Sequence, residues 1–334
     1  MKFSPGLVRV LLAGAAAFMF GAAHADVTLL NVSYDVTREL YKDINPAFIE
    51  FWAKTTGEKV AVEQSHGGSS KQALAVANGL EADVVTMNQD TDIELLARSG
   101  LVPADWRQRL PFNSAPYTST TVFLVRKGNP KNIRDWDDLV KPGTVVVVPN
   151  PKTSGNGRYT YLAAWGYAIK KGGDEAKARD FVTRLFRNVP VLDGGGRGAT
   201  TTFTQRDLGD VLVTFENEAV LIGRELGDEK FAVVYPSLSI QAEAPVAVVD
   251  KVVEKKGTRR QAQAYLEFLY SPAGQEIVAR HFFRPRLDTV LQQHAQQFKP
   301  IQLFTVDDVF GGWAKAQQTH FADGGVYDQI VVSR

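Results

Sequence analysis

Segments that favour buried strands alternate with segments that favour helices along almost the whole chain, and this alternation restricts the possible folds more than any other feature. β-branched runs predict the strands, and apolar residues three or four positions apart predict the helices. The predicted strands cover residues 27–32, 84–87, 144–148, 189–192, 210–215 and 231–235. The predicted helices cover residues 40–51, 158–171, 174–188 and 258–270, with Pro46 expected to bend the first. Such alternation is typical of the α/β class, in which helices cover both faces of mostly parallel sheets.

The N-terminus has the pattern of a secretory signal peptide. Lys2 and Arg9 come before an apolar run at residues 10–23, which ends in the small-residue triplet Ala23-His24-Ala25. This run is shorter than the roughly 20 apolar residues that a membrane-spanning helix needs. We therefore predict a signal peptide over residues 1–25 and a mature protein in the periplasm, the compartment that retains an exported protein without an anchor.

Cysteine is absent from the sequence, which excludes disulfides, thiolate metal sites, thiol nucleophiles and a lipid-modified cysteine at the cleavage point. Removal of residues 1–25 takes away Lys2 and Arg9 and no acidic residue, so the formal net charge changes from +1 to −1. A nucleic-acid partner is not expected, because nucleic-acid binding calls for a clear excess of basic residues.

Some 309 residues remain after cleavage, a length at which one hydrophobic core usually divides into two. No flexible linker marks a boundary, so we expect two lobes joined by strands that cross between them. The candidate crossings are residues 120–126 and 210–215. This places residues 26–119 and 213–334 in the first lobe and residues 120–212 in the second.

Four turns rich in Ser, Gly, Asp or Asn each connect a predicted strand to a helix or a following segment. They lie at residues 33–35, 65–70, 153–157 and 193–198. A helix start leaves main-chain N–H groups without helical partners, and the aligned peptide dipoles place partial positive charge there. Several such starts that converge on a cleft could hold an anion without lysine or arginine. The alternative is that each turn is only an ordinary helix cap, for which the same residues are favoured.

Other chemistries have weaker signals. Gly194, Gly196 and Ala199 fit the loose dinucleotide fingerprint, but the motif stands alone and deep in the chain. His66 next to Ser69 could imitate a hydrolase pair, although a turn histidine usually makes a local hydrogen bond. The histidines are scattered and never paired four residues apart, so we predict no metal site, no cofactor and no enzymatic activity. The alternative is an exported phospho- or sulfo-ester hydrolase that uses the same anion pocket, which the missing base and metal cluster disfavour.

Nine segments, spread in unbroken order over nearly all of the mature chain, resemble the periplasmic sulfate-binding protein family. They cover residues 30–35, 64–69, 123–130, 149–155, 161–166, 252–258, 270–276, 310–313 and 320–325. The resemblance implies a two-lobed periplasmic binding protein fold of type II, with the ligand in the interlobe cleft. It also implies a monomer that delivers sulfate to the permease subunits of an ABC importer in the inner membrane.

In this family the anion receives only neutral hydrogen bonds, and the resemblance assigns the donors residue by residue. They would be the N–H of Asp35, the hydroxyl of Ser69, the hydroxyl and N–H of Ser154, and the N–H groups of Gly155, Asn156 and Gly196.

Three positions depart from the family pattern. Asn156 stands where glycine is usual, and Gly196 stands where alanine is common; a main-chain donor survives both changes. Phe215 replaces a tryptophan whose indole N–H contacts sulfate, and phenylalanine here resembles the thiosulfate-binding branch. The C-terminal stretch instead resembles the sulfate branch. Both anions therefore stay open as ligands, with sulfate placed first.

Overall fold

The computed structural model describes residues 27–226 and 229–332. The predicted signal peptide, residues 1–25, lies outside the described residues. The strands are β1 (Val27–Tyr34), β2 (Val60–Gly67), β3 (Val84–Thr86), β4 (Tyr117–Arg126), β5 (Val146–Pro149), β6 (Leu192–Asp193), β7 (Val211–Phe215), β8 (Phe231–Val234), β9 (Leu238–Glu243), β10 (Val246–Val248), β11 (Arg284–Pro285) and β12 (Gln302–Phe304).

The helices are α1 (Arg38–Thr56), α2 (Ser69–Ala77), α3 (Asp90–Arg98), α4 (Pro111–Ser114), α5 (Trp136–Leu139), α6 (Gly155–Lys170), α7 (Glu175–Arg187), α8 (Gly196–Thr204), α9 (Glu216–Leu226), α10 (Asp250–Lys256), α11 (Arg259–Phe268), α12 (Pro272–Arg280), α13 (Asp288–Gln293), α14 (Val306–Phe310), α15 (Trp313–Ala316) and α16 (Val326–Val332). In the ranges that the structure describes, none of these helices has the length and apolar character needed to cross a membrane.

The strands form two sheets, each of which carries one lobe. The first sheet has the order β10-β3-β1-β2, in which β1 is parallel to β2 and β3, and β10 is antiparallel to β3. The second sheet has the order β12-β9-β4-β7-β5-β6, and β8 and β11 also pair with β4. The predicted α/β class is confirmed. The second sheet is mixed rather than mostly parallel, because β4 runs antiparallel to β7, β8, β9 and β11.

The division of the chain between the sheets differs from the predicted lobes. Strands β8, β9 and β12, which the sequence analysis grouped with the first lobe, pair with the second sheet. The segment 210–215 is not a crossing, because β7 lies inside the second sheet between β4 and β5. The chain instead passes between the sheets before β4, between β9 and β10, and between β10 and β11.

Arg286 ties these three passages together. Its Nε donates to the carbonyl of Ala115, which precedes β4, at 3.0 Å. Its Nη2 donates to Oε1 of Glu243, the last residue of β9, at 2.8 Å. Arg286 itself follows β11, and its main-chain N–H is held by Gln275, whose Nε2 donates to the carbonyl of Pro116 at 2.8 Å. All three connections between the lobes are therefore fixed within one hydrogen-bond network.

Candidate anion-binding site

The four predicted turns follow the carboxyl ends of β1, β2, β5 and β6, and each leads into a helix. Asp35 opens a 3-10 turn at Asp35–Thr37 that continues into α1, and Ser69 is the first residue of α2. Ser154 is the N-cap of α6, and Gly196 is the first residue of α8. Two of these starts belong to each sheet, since β1 and β2 are in the first sheet and β5 and β6 are in the second.

The turns of the two lobes touch each other. A Cβ atom at Gly68 would lie 3.3 Å from the carbonyl oxygen of Thr153 and 3.8 Å from that of Gly194. On the other side of the cleft mouth, the main-chain N–H of Arg197 donates to Asp35 Oδ2 at 3.4 Å. These contacts bring the four helix starts to one place and describe a closed cleft.

Gly155 marks the tightest contact between the lobes. A Cβ atom at this position would lie 2.0 Å from Asn88 Oδ1 and 2.6 Å from its Cγ, distances at which atoms overlap. The main-chain N–H of Asn88 donates to the hydroxyl of Ser69 at 3.2 Å, and Ser69 is 1% exposed. The start of α6 can therefore lie this close to the Asn88 side chain because residue 155 has no side chain.

The charged groups around the cleft are paired with one another. Arg197 Nη2 donates to Glu39 Oε2 at 2.6 Å across the cleft, and its Nε lies 3.5 Å from Glu218 Oε1. Burial raises the pKa of the Glu218 carboxyl to about 7, and the nearby Arg197 opposes that rise. Burial also raises the pKa of Asp35, against the effect of the Arg197 N–H. The guanidinium is thus paired with carboxylates, although its buried Nε makes no hydrogen bond within the described part of the chain, and the main-chain N–H groups at the helix starts are the neutral donors suited to an anion.

A buried carboxylate, that of Asp92, supports the start of α2. Asp92 Oδ1 accepts hydrogen bonds from Ser70 Oγ and from Gln89 Nε2, each at 2.9 Å. Burial raises the pKa of Asp92, while these hydrogen bonds and the positive charge of Arg158 lower it. Arg158 lies in the first turn of α6, where its Nε donates to the carbonyl of Pro151 at 2.9 Å. Arg158 Nη1 also donates to Thr91 Oγ1 at 3.4 Å, and this contact joins the beginnings of α3 and α6 across the lobes.

The second-lobe residues of the predicted site are buried. Ser154 Oγ accepts a hydrogen bond from the N–H of Gly157 at 3.4 Å, as an N-cap does, and its own proton remains free to be donated. The main-chain N–H of Ser154, predicted as an anion donor, instead donates to the carbonyl of Asn150 at 2.9 Å, so the hydroxyl is the donor left at this residue. Asn156 Nδ2 donates to Thr214 Oγ1 at 2.9 Å. Phe215 is 2% exposed and packs edge to face against Tyr159, with ring centroids 5.7 Å apart.

The structure thus brings the predicted residues Asp35, Ser69, Gly155, Asn156 and Gly196 to the contact between the lobes, with Ser154 adjacent in the chain. Their contact with a ligand stays a prediction. Sequence reasoning missed Asn88 and Thr214. Asn88 follows β3 just as the four turns follow their strands, and this was the signal that could have identified it.

The alternative chemistries gain no support. His66 Nδ1 lies 3.3 Å from the carbonyl oxygen of Tyr34, a local contact of the kind expected for a turn histidine. In residues 27–226 and 229–332, no group of three or more His, Cys, Asp or Glu side chains is arranged to hold a metal ion.

Residues 29–284 match the family model described as bacterial extracellular solute-binding protein. The chain belongs to this family of bacterial solute-binding proteins. Within it, the chain is 63% identical over 311 residues to a thiosulfate-binding protein of Pseudomonas aeruginosa, covering 93% of this chain and 94% of that one. It is 59% identical over 306 residues to a sulfate-binding protein of Salmonella typhimurium, covering 91% and 93%.

A solved structure agrees with these sequence relatives. The sulfate-binding protein of Mycobacterium tuberculosis superposes with a TM-score of 0.80 at 34% identity, covering 88% of this chain and 99% of that one. The resemblance inferred from the sequence and the predicted type II binding fold are confirmed.

Proposed function

We propose that this protein is a periplasmic receptor that binds sulfate between its lobes, with thiosulfate as the alternative ligand. The observation that carries the proposal is the meeting of four helix starts, two from each sheet, around buried Ser69, Ser154 and Asn156. Helix starts with exposed N–H groups suit a fully ionised oxyanion. The sulfate-binding and thiosulfate-binding names of the relatives support the same ligand class.

Neutral donors are sufficient for tight binding on simple magnitudes. A hydrogen bond to a charged group contributes roughly 1.5–3 kcal/mol net, so about six donors give on the order of 10–20 kcal/mol. Ordering the lobes and imperfect pairing reduce this sum. Micromolar affinity requires only about 8 kcal/mol. The proposed site therefore needs no cationic side chain in contact with the ligand.

The receptor would then deliver its anion to the permease subunits of an ABC importer in the inner membrane, acting as a monomer and without chemistry of its own. Membership of a family of solute-binding proteins supports a transport role over an enzymatic one. The competing ligand within the same role is thiosulfate. Phe215 favours it, because a phenyl ring offers no conventional N–H donor and tolerates a large terminal sulfur atom.

Calorimetric titration in sulfate-free buffer tests the proposal. Sulfate or thiosulfate should bind with a Kd in the micromolar range or below, and phosphate should bind far more weakly at pH 7. Hydrogen phosphate keeps a proton that needs an acceptor, and burying that O–H against donors costs about 1–3 kcal/mol or more. Equal affinity for phosphate and sulfate would overturn the all-donor site, and no affinity for either sulfur oxyanion would overturn the proposed function.

Ser154→Ala should weaken sulfate by about 1.5–3 kcal/mol, because it keeps the N–H and removes one hydroxyl donor. Calorimetry measures the loss. Ser271→Ala is the matched control, since Ser271 Oγ caps α12 in the same way, accepting from Gly274 N at 3.1 Å. Both variants should lose about 1 kcal/mol of stability through the lost cap. An unchanged sulfate affinity in Ser154→Ala would show that its hydroxyl does not contact the anion.

A further inference from the structure

The side-chain amide of Asn156 has one end without a partner in the protein. Asn156 is 2% exposed, and its Nδ2 donates to Thr214 Oγ1 at 2.9 Å. Its Oδ1 is buried and makes no hydrogen bond. Buried polar atoms are almost always satisfied, so an unpaired amide end in a closed cleft indicates a partner that is not part of the protein.

The unpaired end can be either an acceptor or a donor. The two ends of a primary amide have similar size, so the group can be turned end over end in the same space. A hydroxyl both donates and accepts, so Thr214 can bond to either end. If Thr214 donates to Oδ1, the NH₂ group takes the unpaired position. A fully ionised oxyanion would select this orientation, because only the NH₂ end can donate to it.

The amide lies among the predicted main-chain donors. Asn156 is the second residue of α6, and its own N–H is one of them. A Cβ atom at Gly196, another predicted donor position, would lie 3.3 Å from Asn156 Nδ2 and 3.3 Å from Val36 Cγ1, closer than ordinary van der Waals contact. Glycine at position 196 therefore leaves room both for the Asn156 amide and for Val36 of the first lobe.

We propose that the Asn156 side chain donates a hydrogen bond to the bound anion and that Thr214 orients it. Asn156 would then contact the anion twice, through its main chain and its side chain, and Gly196 would make space for the second contact. This inference rests on the proposed function and adds a specificity-determining side chain to it. An amide N–H favours oxygen over sulfur as its acceptor. Thiosulfate would therefore have to bind with one of its oxygen atoms, and not its terminal sulfur, facing Asn156.

The test is a set of calorimetric titrations with sulfate and thiosulfate. Asn156→Ala should weaken sulfate by about 10- to 100-fold, as expected for loss of a hydrogen bond to a charged group. Asn156→Asp has the same shape but presents a carboxylate, so it should weaken sulfate more than Asn156→Ala. Thr214→Val should weaken sulfate about 3- to 10-fold in the wild-type background, and it should have no further effect in Asn156→Ala.

Gly196→Ala tests the predicted crowding. It keeps the main-chain donor, so it should weaken sulfate more in the presence of Asn156 than in the Asn156→Gly background, where only the close contact with Val36 Cγ1 remains. An equal effect in both backgrounds would show that the Asn156 amide is not crowded. Asn188→Ala is the control, because Asn188 lies in the same lobe and its amide donates to the carbonyls of Leu139 and Lys141 at 2.8 and 2.9 Å. This control should lower the melting temperature and leave the affinity unchanged.

The outcomes separate this inference from the proposed function. If the wild type binds neither anion, the proposed function fails. If the wild type binds sulfate and Asn156→Ala binds it within twofold, the side-chain contact is wrong and the main-chain site stands. A stronger affinity in Asn156→Asp than in Asn156→Ala would also overturn the inference, because it would show that the position needs an acceptor.

Discussion

Gly155→Ala is expected to weaken sulfate binding by at least about 100-fold while both lobes remain folded. Its added Cβ atom would lie 2.0 Å from Asn88 Oδ1 in the closed cleft, and atoms cannot approach so closely. Asn88 is 5% exposed, so its side chain has little room to turn aside, and we expect the lobes to stay further apart instead. Donors placed by one lobe then no longer reach an anion held by the other. Hydrogen bonds weaken steeply beyond their normal length, so several are lost together. Calorimetry with sulfate measures the loss directly.

Two further variants make this prediction specific to lobe closure. Asn88→Ala removes the atoms that clash, so the Asn88→Ala/Gly155→Ala double variant should recover most of the affinity. Gly274→Ala is the matched control, because its Cβ would lie 2.1 Å from the carbonyl oxygen of Phe268, within the first lobe. It should lower the melting temperature more than the affinity. Failure of Asn88→Ala to restore binding would contradict the closure argument.

Acidification from pH 7 to pH 4 is expected to reduce the free energy of unfolding by about 3 kcal/mol through His320 alone. His320 is 4% exposed, its Nδ1 lies 2.9 Å from the hydroxyl of Tyr161, and its ring contacts Trp165 at 4.7 Å between centroids. Burial lowers the pKa of His320 to about 4. The unfolded chain takes up a proton below its pKa of about 6.5, whereas the folded protein resists it until about pH 4. Stability from this residue is therefore complete above pH 6.5 and is lost as the pH falls between these values.

Urea denaturation of the wild type and of His320→Gln at pH 7, 5.5 and 4 measures this contribution. Carboxylates also titrate in this range, but they do so in both proteins, so the difference between the two isolates His320. The variant should be less stable at pH 7 and should lose less stability on acidification. His294→Gln is the control for loss of a histidine elsewhere, because His294 Nε2 lies 3.0 Å from Glu276 Oε1 and not beside Tyr161. If the free energy of unfolding changes equally with pH in the wild type and in His320→Gln, then the pKa of His320 does not differ between the folded and unfolded states.

Local pattern was enough to find the second-lobe strands β5 and β7 within two residues, because β-branched runs and proline are strong local signals. Helix α6 was predicted to start at residue 158, whereas it starts at Gly155. Its first turn contains two glycines, which local propensity assigns to a loop. That turn carries the predicted main-chain donors of Gly155 and Asn156. The glycines that hid the helix start from the prediction are thus the same residues that would let an anion approach the main chain.

Pairing between distant strands could not be predicted in the same way. β9 and β12 are separated by some sixty residues and lie side by side in the second sheet. Nothing in either segment alone specifies its neighbour, and the predicted lobe boundaries failed for this reason. Thr214 was missed as well, because its importance depends on its distance from Asn156 and not on any local motif.

The network around Arg286 has a mechanical consequence. The three connections between the lobes are held side by side at Arg286. We therefore expect the lobes to move relative to each other mainly by rotation about an axis through this residue. Sliding or twisting of one lobe against the other would break the hydrogen bonds to Ala115 and Glu243 together. We therefore expect the lobes to close by rotation about a fixed hinge, so that each closure returns Gly155 to the same position against Asn88.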